Sequence, residues 1–141
     1  MIRHPNDMVT SLNARRFGAL VTLLTVTTSG YFAVSSLADP GGLVPGGDQA
    51  APKTYAAYMA ARSAVLLGGM VWLLALRAWR SLGLLLALNG AVQIGDAAIG
   101  AAHHQVPQTI GPLVFAAALL IAARLLAGRN QAPGQIRPTS R

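Results

Sequence analysis

The chain alternates between long runs of apolar residues and short polar connections. Each run holds roughly 20 predominantly apolar residues, the length needed to cross a bilayer. Because no backbone group can stay unpaired in hydrocarbon, each run is expected to be an α-helix. The pattern predicts four membrane-spanning helices, at residues 17–38, 54–76, 82–102 and 110–127.

The connections between these runs are typical of loops and turns. Residues 39–53 are rich in Gly and Pro, which favour loops, residues 77–81 form a tight basic turn, and residues 103–109 form a turn with a proline. Such short connections leave no room for a soluble domain. The sequence therefore predicts one all-α domain, an integral membrane four-helix bundle over residues 17–127.

Arginines concentrate in every second connection. The polar segments 1–16 and 128–141 and the 77–81 turn carry them, whereas the other two connections hold only Lys53 as a cation. The positive-inside rule then predicts cytoplasmic N and C termini, with 1–16 as a tail and 128–141 as a basic tail. This topology accounts for the net charge of +7 without a nucleic-acid partner.

Composition supports the membrane interpretation. Hydrophobic residues make up 53% of the chain and charged residues 11%, whereas roughly a quarter of the residues in a soluble domain are charged. The expected location is the cell membrane, in a multi-pass arrangement within the lipid bilayer. The chain has no cysteine, which excludes disulfides, thiolate metal sites and a catalytic thiol.

A cleaved signal peptide is the alternative for the first span. Residues 36–38 resemble a signal-peptidase site, and Arg15 and Arg16 resemble the basic region that precedes such a peptide. The apolar run is long for a signal peptide and contains Gly30 and Tyr31, so an uncleaved span is favoured.

Two predicted spans each contain a charge, Arg62 in the second and Asp96 in the third. On antiparallel neighbouring helices, both would lie roughly 10 Å below the outer boundary, given a rise of 1.5 Å per residue. Buried ions in a membrane usually face the bundle and pair. We therefore expect an Arg62–Asp96 ion pair, either within a site or as a device that fixes helix register.

Polar residues near these charges predict a pocket that opens to the outer side. Asn89, Gln93, Gly100 and His103 share a helical face with Asp96. Tyr58 lies one turn from Arg62, and the first span adds a polar stripe made of Thr22, Thr25, Ser29, Phe32 and Ser36. The predicted ligand-binding residues are Arg62, Asp96, Gln93, Asn89 and Tyr58.

Structural roles compete with these assignments. Asn89 and Gln93 are also suited to hydrogen bonds between helices, and small residues at 56, 60, 64, 68, 91 and 95 suit close helix packing. His103 and His104 stand at a helix end, where solvated histidines are common, and adjacent histidines point about 100° apart on a helix. No metal, haem or other cofactor is therefore predicted.

Short motifs resemble a known family. "YMAARSAVLLGG" (58–69) is similar to the second-helix motif of the DUF4267 proteins, which belong with the small four-helix DoxX-like membrane proteins. "RAWRSLGLLLALNGAVQIGDAAIG" (77–100) and "GYFAVSSLADPGGLVPG" (30–46) resemble the family's next and first stretches. The resemblance implies the four-helix fold and emphasises Arg62 and Asp96. Ser63 replaces the acid that usually follows the arginine in the family.

Three functions fit these observations. The first is a small integral membrane protein that binds a small ligand or serves as an accessory subunit, either with a membrane-protein partner or as a homo-oligomer. The second is a membrane-embedded isomerase or cyclase for a lipophilic small molecule, with Asp96 as general acid or base, Arg62 tuning it, and Tyr58 or His103 as proton partner. The third is a small transporter. The enzyme function is disfavoured because the predicted spans contain a single carboxylate. The transporter function is disfavoured because small drug exporters carry their acidic residue in the first helix, and the predicted first span has none.

Overall fold

A computed structural model describes residues 5–39, 41 and 49–127, with side chains from residue 12 onward. This part of the chain contains four α-helices, which confirms the all-α prediction. They are α1 (Pro5–Ala38), α2 (Ala50–Ala75), α3 (Trp79–Ala102) and α4 (Val106–Ala127). Predictions for the first four residues, for most of the 39–53 loop and for the 128–141 tail lie outside the described residues.

Each of the four helices contains a stretch that is long and apolar enough to cross a membrane. Each helix begins at an earlier residue than the apolar run from which it was predicted. The largest difference is in α1, which starts at Pro5 inside the predicted polar tail. Proline is favoured at the first position of a helix, and no glycine or further proline occurs between Pro5 and Gly18. The polar residues of this segment therefore form the first turns of α1.

The turns after α2 and α3 have the same hydrogen-bond pattern. After α2, the N–H of Arg77 donates to Leu74 and that of Ala78 donates to Leu73. Arg77 has a φ of 53°, so this is a Schellman motif with a left-handed residue that is not glycine. His104 (φ 55°) takes the same place after α3, where His104 N–H donates to Ala101 and Gln105 N–H donates to Gly100.

α3 and α4 make the most extensive helix–helix contact. Two glycines of α3 permit their close approach. A Cβ atom at Gly100 would lie 2.7 Å from the backbone of Gln108, and one at Gly90 would lie 3.1 Å from the side chain of Leu120. α1 packs on α2 and, less extensively, on α4, whereas α2 and α3 touch over a short stretch only.

The buried core occupies one end of the bundle. Its fully buried side chains include Met70 of α2, Leu82 and Leu86 of α3, and Leu119 of α4. The core uses the first part of α1 and α3 and the last part of α2 and α4. We call this region, residues 17–26, 67–74, 79–87 and 115–126, the packed end.

The outer surface of the bundle is apolar. Large side chains such as Val65 (77% exposed), Trp72 (65%) and Leu84 (65%) have no protein neighbour covering them. A surface of this kind is unfavourable in water and suits contact with lipid tails.

Candidate functional site

A cavity of about 700 Å³ lies between the other ends of the helices, which we call the open end. All four helices contribute to its wall. The lining residues are Thr28, Ser29, Phe32, Ala33 and Ser36 on α1, Met59, Ala60, Ser63, Leu66 and Leu67 on α2, Asn89, Val92, Gln93, Asp96, Ile99 and Gly100 on α3, and Pro107, Gln108, Gly111, Pro112 and Phe115 on α4, with Gln105 from the turn before α4. The α3–α4 contact stays close along the cavity, because Gly100 meets the backbone of Gln108 in its wall.

The inner end of the cavity borders the buried core. Leu67 and Phe115 line the cavity and also pack against the core cluster. Asn89 lines the cavity at this level and is only 8% exposed. Its Nδ2 atom has no hydrogen-bond partner in the described part of the chain. A buried amide donor without a partner typically costs about 1–3 kcal/mol.

One face of α3 forms the polar wall. Of the five residues predicted to share one face, Asn89, Gln93, Asp96 and Gly100 line the cavity, whereas His103 does not. Among the described residues, Asp96 is the only charged one in the lining. It has no ion-pair or hydrogen-bond partner within the described ranges.

The predicted polar stripe on α1 divides between the two ends. Ser29, Phe32 and Ser36 line the cavity. Thr22 and Thr25 are fully buried at the packed end instead. Thr22 donates its hydroxyl proton to the Gly18 carbonyl oxygen at 2.8 Å, whereas the Thr25 hydroxyl finds no partner among the described residues.

The predicted Arg62–Asp96 ion pair is not formed in the structure. Arg62 is exposed, is absent from the cavity lining and has no ionic partner in the part of the chain that the structure describes. Tyr58, one turn away, is 68% exposed and also faces outward. The physical reason is the rotation of α2: Met59, Ala60, Ser63, Leu66 and Leu67 face the cavity, which turns Arg62 away from α3.

The predicted small-residue contacts differ as well. A Cβ atom added at Gly68 or Gly95 would meet nothing within 4 Å, so these glycines do not mediate the packing of the bundle. Gly83, Gly90 and Gly100 mediate the contact of α3 with α4 instead. Ala60 of the predicted stripe is buried, so the four-residue spacing of small side chains identified the packed positions only in part.

Sequence reasoning missed the contribution of α4 and of the turn before it. Gln105 and Gln108 bring amides to the mouth of the cavity, and Pro107 and Pro112 line its wall. The signal was present, because these are the polar residues nearest to the start of an otherwise apolar helix. Ser63, noted only as a departure from the family motif, is a further polar residue in the lining.

The remaining candidates do not join the cavity. His103 caps α3, and neither His103 nor His104 contributes to the lining. No group of three or more His, Cys, Asp or Glu side chains in the described residues is arranged to hold a metal. The proton partners that we considered for Asp96, Tyr58 and His103, are thus both outside the cavity wall.

No protein-family model, curated protein or solved structure matches the chain. The resemblance to the DUF4267 and DoxX-like proteins stays a prediction.

Proposed function

We propose that the protein is a multi-pass membrane protein that binds a small amphipathic molecule in the cavity at its open end. The single observation that carries the proposal is Asn89, a residue of the cavity lining whose buried Nδ2 atom has no hydrogen-bond partner among the described residues. A ligand with a hydrogen-bond acceptor would satisfy it. The cavity also combines amide, hydroxyl and carboxylate groups with apolar walls, the usual composition of a small-molecule site.

We further propose that the packed end is cytoplasmic and the cavity opens to the outer side of the cell membrane. Arg15 stacks over the ring of Trp79 at 5.7 Å, which brings the basic start of α1 beside the basic 77–81 turn. Arg124 lies near the end of α4, on the same side. The open end carries Lys53 and Asp39, so the positive-inside rule favours this orientation.

Reporter fusions test the orientation. A reporter after Arg141 should score cytoplasmic, and one inserted at 41–50 should score external. The reverse result at either position would overturn the topology.

A pocket-filling variant tests ligand binding. Ser63→Phe places a ring in the cavity, whereas Val65→Phe adds a ring of the same size to the exposed face of the same helix. Protein purified from its native membrane in mild detergent is extracted with solvent, and the extract is analysed by mass spectrometry. We expect a small molecule enriched with the wild type and with Val65→Phe, and lost with Ser63→Phe. Identical extracts from all three proteins would contradict the proposal.

Arg62 favours a second candidate function, that of an accessory subunit. The residue lies about 18 Å from the first residue of α2 and about 20 Å from the last, on an exposed face. A cation so deep in a membrane is costly without a partner. A carboxylate on a helix of a neighbouring membrane protein, or of a second copy, would supply one.

Native electrophoresis in mild detergent tests this function. The wild type should migrate as an assembly, Arg62→Gln should fall to the size of one chain, and Arg62→Lys should be intermediate, because lysine keeps the charge but loses the planar fork. Val114→Leu, on the exposed face of α4, is the control that should leave the assembly intact. Migration of the wild type as a single chain would exclude an accessory role through Arg62.

A further inference from the structure

Charge is distributed unevenly between the cavity and the rest of the bundle. Within the part of the chain that the structure describes, Asp96 is the only ionisable side chain that lines the cavity, and no Lys, Arg or His accompanies it. The nearest cation in the sequence of α2, Arg62, faces away. The cavity therefore presents a carboxylate with no protein counter-ion among the described residues.

A bound anion would meet Asp96 without any compensating cation, so repulsion would disfavour it. A bound cation would provide the missing counter-ion in a site whose apolar walls reduce the effective dielectric. The same reasoning disfavours a zwitterionic phospholipid head group, because its phosphate would need a basic partner that none of the described lining residues provides.

The positions of the polar groups also set the length of the ligand. Asp96 lies six residues before the end of α3 and Asn89 lies seven residues deeper. At 1.5 Å per residue, their backbones are separated by about 10 Å along the helix axis. Phe32, Met59 and Phe115 supply apolar wall elsewhere in the lining.

We propose that the cavity binds an elongated organic cation. Its ammonium or phosphonium group lies at Asp96, its apolar body lies along the aromatic and methionine side chains, and a carbonyl or ether oxygen accepts a hydrogen bond from Asn89 Nδ2. This proposal rests on the proposed function and names the ligand class of the same cavity.

Two hydrophobic ions of nearly equal size and opposite charge test the sign of the ligand. Tetraphenylphosphonium and tetraphenylborate are dialysed against the full chain in nanodiscs, and binding to empty nanodiscs is subtracted. We expect tetraphenylphosphonium to bind the wild type, and Asp96→Asn to weaken that binding at least tenfold, about 1.4 kcal/mol. Asp39→Asn, a carboxylate outside the lining, should change it less than twofold.

The hydrogen bond to Asn89 has its own test. Decyltrimethylammonium and an analogue that ends in a methyl ketone are compared in the same assay. The wild type should prefer the ketone, and Asn89→Leu should abolish that preference while still binding the simple ammonium ion. An unchanged preference would remove Asn89 from the ligand site.

The outcomes separate this proposal from the proposed function. Binding of tetraphenylborate that Ser63→Phe abolishes would refute the cationic class and leave the cavity as a ligand site. Recovery of a phospholipid as the molecule that Ser63→Phe loses would have the same meaning. Absence of binding by all these ions, together with identical solvent extracts, would refute both proposals.

Discussion

The two ends of the bundle differ in how closely their side chains pack. At the packed end, Met70, Leu82, Leu86 and Leu119 are fully buried in a continuous apolar cluster. At the open end, the same four helices enclose a cavity of about 700 Å³, and the Asp96 carboxylate in its lining has no partner among the described residues. Close packing stabilises the first region, and the second retains polar groups that cost stability, as functional sites commonly do.

This contrast is informative because the helices are continuous through both regions. The outer surface is similarly apolar along the bundle, so hydrophobicity does not distinguish the ends. In a bilayer, helix association depends on side-chain fit and polar contacts rather than on removal of apolar surface from water. The difference between the ends is therefore a difference in packing, which substitutions can measure.

Removal of a core side chain should produce the largest effect. Leu86→Ala would leave a cavity among fully buried neighbours and should lower the free energy of unfolding by about 2–4 kcal/mol. Met59→Ala at the open end borders existing space and should cost less than about 1 kcal/mol. Thermal unfolding in detergent compares them, with Leu84→Ala on the exposed face as control. Equal losses for Leu86→Ala and Met59→Ala would contradict the division into two ends.

The close contact of α3 with α4 should be the next most sensitive feature. Gly100→Ala places a methyl group 2.7 Å from the backbone of Gln108 and should cost about 1–3 kcal/mol by overpacking. Gly95→Ala, five residues earlier, meets nothing and should be neutral or stabilising by up to about 1 kcal/mol through helix propensity. Thermal unfolding of the two variants checks the sign of each effect. Similar behaviour of both would mean that the glycine at 100 is not required for the helix contact.

Asn89 should show opposite effects on stability and binding. Asn89→Leu removes a buried donor that has no partner among the described residues, and it should stabilise the ligand-free protein by about 1 kcal/mol. The same change should weaken retention of the molecule extracted with the wild type. Unfolding of delipidated protein and mass spectrometry of the extracts measure the two properties. Destabilisation of the ligand-free protein would show that Asn89 has a structural partner.

Two threonines at the packed end provide the finest comparison. Thr25→Val removes a buried hydroxyl that has no partner in the described part of the chain, and it should raise the free energy of unfolding by up to about 1 kcal/mol. Thr22→Val removes a hydroxyl that donates to Gly18 and should be neutral or slightly destabilising, by about 0.5 kcal/mol. Because both changes keep the side-chain shape, the difference in melting temperature isolates the hydrogen bond. A larger increase in stability for Thr22→Val than for Thr25→Val would contradict the assignment of the hydrogen bond to Thr22.

Much of the architecture was determined by the sequence alone. Four apolar runs separated by loop residues require four helices, since a chain of this composition must satisfy its backbone internally wherever it meets lipid. The face of α3 that carries Asn89, Gln93 and Asp96 was also predictable. Polar side chains at helical spacing in an apolar segment are unfavourable toward lipid, so they turn inward together.

The tertiary structure alone decided which face of α2 turns inward. This helix is apolar around most of its circumference, and lipid accepts any apolar face, so periodicity does not orient it. Packing placed Met59 and Ser63 in the cavity and Arg62 outside it, against the expectation that a buried cation would seek Asp96. Packing also chose Gly90 and Gly100, and not Gly68 or Gly95, as the points of close approach. These choices depend on the shapes of side chains that are distant in sequence, which no local pattern contains.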